Sequence, residues 1–163
     1  MLEFLPDKVF IPEPFVFERV VADLYSIFER DIKWGDLEYK NLRVFFDNRS
    51  IDSPYEEGFW HVIERGKGER VLDLKRAKRL PWIKPLIEHS DDPRLLKWVE
   101  NATDKRGNLQ EVTYIYYQEE QYLVILKDRR RGFFLATAFY VTGFNRQVYC
   151  QKFQNAQKKG PGC

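Results

Sequence analysis

The stretch Gln121–Gly143, QYLVILKDRRRGFFLATAFYVTG, decides the fold. Tyr122–Leu126 is one apolar run rich in β-formers, and Phe133–Val141 is a second. Between them lies Lys127-Asp128-Arg129-Arg130-Arg131-Gly132, polar and closed by a glycine, the pattern of a β-hairpin. Runs this apolar mark central strands buried on both faces. Thr137 and Tyr140 nevertheless carry hydroxyls in the second run, and cations crowd the link. A buried core that ends in a basic edge suits a phosphate-bearing ligand.

Working outward, Glu111–Tyr117 alternates into a strand that leads to the hairpin, and Lys105–Asn108 forms a turn before it. Leu95–Val99 reads as a strand or a short helix. Asn145–Lys159 reads as a polar C-terminal helix anchored by Val148, Cys150 and Phe153, followed by a fraying tail, 158–163. Upstream, Phe15–Ile32 shows helical spacing, with Phe17, Val20, Val21, Leu24, Ile27, Phe28 and Ile32 on one face. Pro14 suits its first turn and Gly35 its end. Leu42–Phe46 reads as a short strand, and Gly58–Glu64 as another, with His61 in its middle. Asp73–His89 reads as a helix interrupted near Pro81, which removes a backbone donor and disfavours helix at Leu80. Strands joined by short turns imply an α+β fold: an antiparallel sheet with N-terminal and central helices packed on one side.

At 163 residues with 44% hydrophobic content the chain is long enough for one cored domain, 1–163. Residues 1–40 form its N-terminal helical segment. The absence of a membrane-length apolar run or a signal-type N-terminus implies a cytoplasmic protein. The two cysteines, Cys150 and Cys163, imply no structural disulfide, and the spacing suggests neither a metal nor a cofactor. Net charge is +2, yet residues 1–60 carry 7 Lys+Arg against 13 Asp+Glu, and residues 61–163 carry 20 against 12. That asymmetry describes either two differently solvated faces or a basic surface for an anionic partner.

His61 is either a core histidine beside Trp60 or a general acid/base that works without a metal. His89 is a helix-end histidine. Arg76 and Arg79, three apart, share a helical face; they are solvated cations or the clamp of a scissile phosphate. Lys127, Arg129, Arg130 and Arg131 are turn cations or phosphate contacts. Thr137 and Tyr140 are ordinary strand residues or site hydroxyls. Tyr114, Tyr116 and Tyr117 fit a sheet as well as a base-stacking platform. Metal-free RNA cleavage needs a base, an acid and cations. The chain offers one base and many cations but no obvious carboxylate pair.

The segments GFWHVI, DLKRAKRLPW, KWVEN, YLVILKDR and LATAFYVT, in that order, resemble phage-associated members of the barnase–EndoU–colicin–RelE superfamily of metal-independent RNases. The similarity covers residues 42–155. It implies N-terminal helices against a curved antiparallel sheet. It also implies endoribonuclease activity, often as the toxin paired with a cognate antitoxin or immunity protein; attack by the 2′-hydroxyl would leave a cyclic phosphate, and the expected partner is RNA such as tRNA or mRNA. The resemblance places the family's histidine on His61 and its arginine pair on Arg76 and Arg79, with Lys75 where an arginine is common. The basic position after the YLVIL strand falls on Arg129, and the strand threonine on Thr137. The family's tyrosine falls on Phe139 or Tyr140. Lys75, Lys127, Arg130 and Arg131 are the expected further RNA contacts. A histidine and lysine common after this strand are replaced by Phe144-Asn145-Arg146. Two rival readings are a non-catalytic RNA-binding or protein-interaction module on the same fold, and an antitoxin or immunity protein.

Overall fold

The computed structural model describes residues 2–66 and 70–157. Helix α1, Phe17–Phe28, runs into a π-helical stretch, Glu29–Lys33, and strands β1, Glu38–Tyr39, and β2, Leu42–Phe45, follow. Next come helix α2, Glu57–His61, the small strands β3, Glu64–Arg65, and β4, Val71–Leu72, and helices α3, Leu74–Ala77, and α4, Ile83–Glu88. Strands β5, Leu96–Thr103, β6, Leu109–Tyr117, β7, Tyr122–Arg129, and β8, Gly132–Tyr140, lead to helix α5, Arg146–Gln157.

The α+β reading holds, and so does the hairpin. β7 and β8 pair antiparallel from Tyr122↔Tyr140 to Arg129↔Gly132, so the strands run further into the polar link than expected and leave a two-residue turn, Arg130-Arg131. Partners jump from Ile125↔Thr137 to Leu126↔Leu135, which leaves Ala136 as a bulge. β5, β6 and β7 continue as a meander, which settles Leu95–Val99 as strand. The interrupted helix also appears, with a 3-10 turn at Leu80–Trp82 around Pro81.

Four expectations about the strands and helices are corrected. The sheet is mixed, in the order β1-β2-β8-β7-β6-β5, because β2 pairs parallel with Gly132–Phe134 of β8. A Cβ on Gly132 would lie 2.2 Å from the Arg43 carbonyl oxygen, so glycine permits that approach. Helices cover both faces. The main core joins Ile115, Tyr117, Tyr122 and Val124 to Leu24, Phe28, Phe59 and Trp82. On the other face Tyr116, Leu123 and Trp98 pack with Tyr149 and Phe153 of α5. Gly58–Glu64 is not a strand: its first half is α2 and only Glu64 enters a strand. Pro14 precedes α1 and its N-cap Val16 rather than opening the first turn.

The first forty residues share the main core. Leu2, Leu5 and Ile11 are buried in it. The Val9 amide donates to the Lys78 carbonyl (2.8 Å), and the Trp82 indole donates to that of Pro6 (2.8 Å). Cys150 is not a free thiol, contrary to the expectation of unbridged cysteines; Cys163 and the expected fraying tail lie outside the described residues. Among the described residues no helix is long and apolar enough to cross a membrane.

Candidate functional site

β2 covers only the first three residues of β8. Beyond them α2 and α3 close on β8, and there the chain forms a cavity of about 330 Å³. His61, Glu64, Arg65, Arg76 and Thr137 line it, with Gly66 and Ala136. The structure thus brings together three expected site residues: His61, Arg76 and Thr137.

His61 ends α2, and its side chain is exposed. The helix that carries it is short but pinned at both ends. The Glu57 and Gly58 amides donate to the Arg49 and Asp47 carbonyls, each at 2.8 Å. These bonds satisfy amides that a helix start leaves open. Phe59 and Trp60 are buried, and the Trp60 indole donates to Ser53 Oγ at 2.9 Å. At the other end the His61 carbonyl accepts from Arg76 Nη1 (2.9 Å) and Thr137 Oγ1 (3.0 Å). Two side chains expected to face a phosphate therefore also hold the main chain beneath the imidazole. The Asp47 carboxyl is held below its usual range, chiefly by Arg49, with His61 close enough to add to the effect.

Arg76 rises from α3, whose N-cap Asp73 accepts from the Arg76 amide at 3.1 Å. Its guanidinium lies 5.4 Å from the Phe139 ring centre, and its Nε sits 3.7 Å from Asp73. Burial favours the neutral form of Arg76, and its Nε has no hydrogen-bond partner. Glu64 is the residue that sequence reasoning missed. Its Oε1 accepts from Arg70 at 2.6 Å, while its Oε2 is buried with no partner. Burial pushes the Glu64 carboxyl up, and Arg70 opposes that shift. Sequence held one signal for it: Val62 and Ile63 are apolar and lead straight into Glu64, so the acid begins inside a buried run. Arg65, also missed, supplies an exposed cation to the rim.

No protein-family model, curated protein or solved structure matches this chain.

The other expected residues lie elsewhere. Arg79 is buried; it donates to the Lys75 carbonyl (2.8 Å) and approaches Glu120 (3.4 Å), which also pairs with Lys8. Its guanidinium sits against Trp82 and Tyr140. Lys75 Nζ lies 4.5 Å from the Tyr140 ring centre, and the Tyr140 hydroxyl donates to Gln121 Oε1 at 2.8 Å. Arg79, Lys75 and Tyr140 thus form a neighbouring layer, and none of them lines the cavity. Arg129, Lys127 and Arg130 line a separate groove at the far end of the sheet, while Arg131 is exposed in the turn beside it. Tyr116 and Tyr117 are buried, and Tyr114 stacks on Trp98 with ring centres 4.8 Å apart. His89 ends α4 and stacks on Phe4.

Proposed function

We propose that the protein is a metal-independent endoribonuclease whose reaction centre is the His61 cavity. The observation that carries this reading is the joint lining of one small cavity by an imidazole, a carboxyl raised by burial and two guanidinium groups. Within it a buried carboxylate oxygen and a buried guanidinium nitrogen lack hydrogen-bond partners, and such groups are costly unless they serve a ligand or a water. The resemblance to the barnase–EndoU–colicin–RelE superfamily points the same way, toward a toxin-like enzyme with a cognate inhibitor.

In this reading His61 takes the proton of the ribose 2′-hydroxyl as its oxygen attacks phosphorus. Glu64 supplies a proton to the departing 5′-oxygen, the role for which a raised carboxyl is suited. The phosphorus–5′-oxygen bond breaks, and the products are a 2′,3′-cyclic phosphate and a free 5′-hydroxyl. Arg76 and Arg65 offset the charge that grows on the phosphorane. Thr137 positions His61 by holding its carbonyl. Arg79 stiffens the layer behind Arg76.

A second reading, a non-catalytic RNA-binding module, draws on one observation: Arg76 and Thr137 both spend a donor on the His61 main chain. Incubation with total RNA and tRNA in EDTA separates the two readings. The enzyme yields fragments ending in cyclic phosphate, lost in His61→Ala and reduced in Glu64→Gln. Intact RNA with wild-type protein that still shifts the RNA on a gel selects the binding module.

A further inference from the structure

The cations expected around the hairpin turn do not reach the His61 cavity. Arg30, Arg49, Arg70 and Arg94 each form an ion pair. By contrast Lys105, Arg106, Lys127, Arg129 and Arg130 form none within 4 Å among the described residues, and all five line one groove of about 1330 Å³. Lys105 and Arg106 stand on the β5–β6 turn and the other three at the β7–β8 end, so the cations flank the groove from two hairpins. Three carboxylates share the lining. Asp104 is engaged by its own turn: Oδ1 accepts from the Arg106 and Asn108 amides at 2.8 Å, which keeps its carboxyl low. Glu111 and Asp128 remain, so positive charge prevails.

The strand register places two of the groove's cations on the same face of the sheet as Thr137. Side chains alternate along β7, so Ile125, Lys127 and Arg129 share a face. Ile125 and Phe139 belong to the α5-side cluster, and Thr137 pairs with Ile125. Lys127, Arg129 and Thr137 therefore lie on the α5 side of the sheet. Between them lie half-buried Ile125 and Phe134, and the Arg129 guanidinium sits 4.4 Å from the Phe134 ring centre. From Arg129 to Ile125 is four residues, roughly 13 Å at the rise of a strand. That matches about four nucleotides at the rise of a stacked strand.

We propose that the groove is a backbone-binding track for single-stranded RNA, which runs over Phe134 and Ile125 from the turn cations to the His61 cavity. The proposal rests on the reading that the cavity handles RNA, and it adds the substrate class: a single strand spanning both sites. Lys127, Arg129 and Arg130 contact phosphates several nucleotides from the one attacked, and Phe134 offers an apolar surface to a base.

The test is fluorescence anisotropy over a salt series, with a fully 2′-O-methylated single-stranded probe of about twelve nucleotides. Such a probe binds without being cut. Lys127→Ala/Arg129→Ala/Arg130→Ala is expected to weaken binding about tenfold or more and to flatten the salt dependence by about 2 in log–log slope. Lys105→Ala/Arg106→Ala, on the other hairpin, is expected to flatten it by about 1. A probe of about three nucleotides, which cannot span the two sites, is expected to bind wild type more weakly than the long probe and to lose less affinity and slope in both variants. Circular dichroism checks that each variant is folded. Wild-type slope and affinity in both folded variants overturn the track. So does a wild-type protein that binds no probe, or poly-glutamate competing as well as RNA. Cleavage of natural RNA is scored separately. Binding with cation-dependent slope but no cleavage supports the track and removes the catalytic reading. His61-dependent cleavage with unchanged slopes does the reverse.

Discussion

Arg79→Ala distinguishes a supporting arginine from a phosphate-binding one. Arg79 is 8% exposed and donates to the Lys75 carbonyl at 2.8 Å. A charged donor to a carbonyl contributes about 1.5–3 kcal/mol. The 3.4 Å contact with Glu120 adds little, below about 1 kcal/mol, because Glu120 is partly exposed and keeps Lys8 at 3.2 Å. Contacts with Trp82 and Tyr140 add about 0.5–1 kcal/mol each. Against these stands the Arg79 Nε, buried without a partner, at a cost of about 1–3 kcal/mol that the substitution removes. The net expectation is a loss of about 2 kcal/mol. With a urea slope of about 2 kcal/mol/M the midpoint falls by about 1 M, and Tm falls by about 4–8 °C. The assay is urea unfolding followed by tryptophan fluorescence, beside cleavage of tRNA under conditions where the variant is folded. On the proposed ribonuclease reading, cleavage is expected to stay within about threefold of wild type, well inside the effect of removing a transition-state contact. An unchanged midpoint together with a loss of cleavage of about a hundredfold would refute the reasoning and move Arg79 to the scissile phosphate.

Further outcomes follow from the same geometry. Glu64→Gln should change how stability responds to pH: burial raises the folded carboxyl above its unfolded value, so ionisation costs stability as pH climbs from about 4.5 through the raised value, and the glutamine variant lacks that loss. Urea midpoints of both proteins across this range measure it, and parallel curves would show that Glu64 is not raised. Gly132→Ala should destabilise by about 1–3 kcal/mol, since its Cβ meets the Arg43 carbonyl oxygen at 2.2 Å and forces β2 away from β8; thermal unfolding reports the shift. Leu24→Ala should cost about 2–5 kcal/mol, because Leu24 is fully buried between α1 and the main core; a loss under 1 kcal/mol in urea would contradict that packing.

What was legible in the sequence was local. The β7–β8 hairpin shows in two β-rich runs around a polar link, and the break at Pro81 follows from proline chemistry. The parallel pairing of β2 left no local trace, because Arg43 and Gly132 are far apart in the chain and meet only in the fold. GFWHVI is apolar on every side, so periodicity did not distinguish a strand from a short helix. The Asp47 and Arg49 carbonyls, contributed from another segment, favour the helix. The α5 side of the sheet was underestimated because Tyr149 was not counted among its anchors, although Tyr149 and Phe153 both pack there. In the candidate site, His61, Arg76 and Thr137 were readable as residue types. Glu64 was not, since its interest lies in its burial and in the oxygen left unpaired.

The Thr137 bond to the His61 carbonyl also has a meaning in time. α2 and α3 leave the ribosome well before β8, and Thr137 follows His61 by some 76 positions, roughly 4–15 s of translation at about 5–20 residues per second. Until β8 emerges, the cavity lacks one wall and the His61 carbonyl one of its two donors. A nascent chain that stops short of β8 therefore carries His61 without the assembled cavity around it.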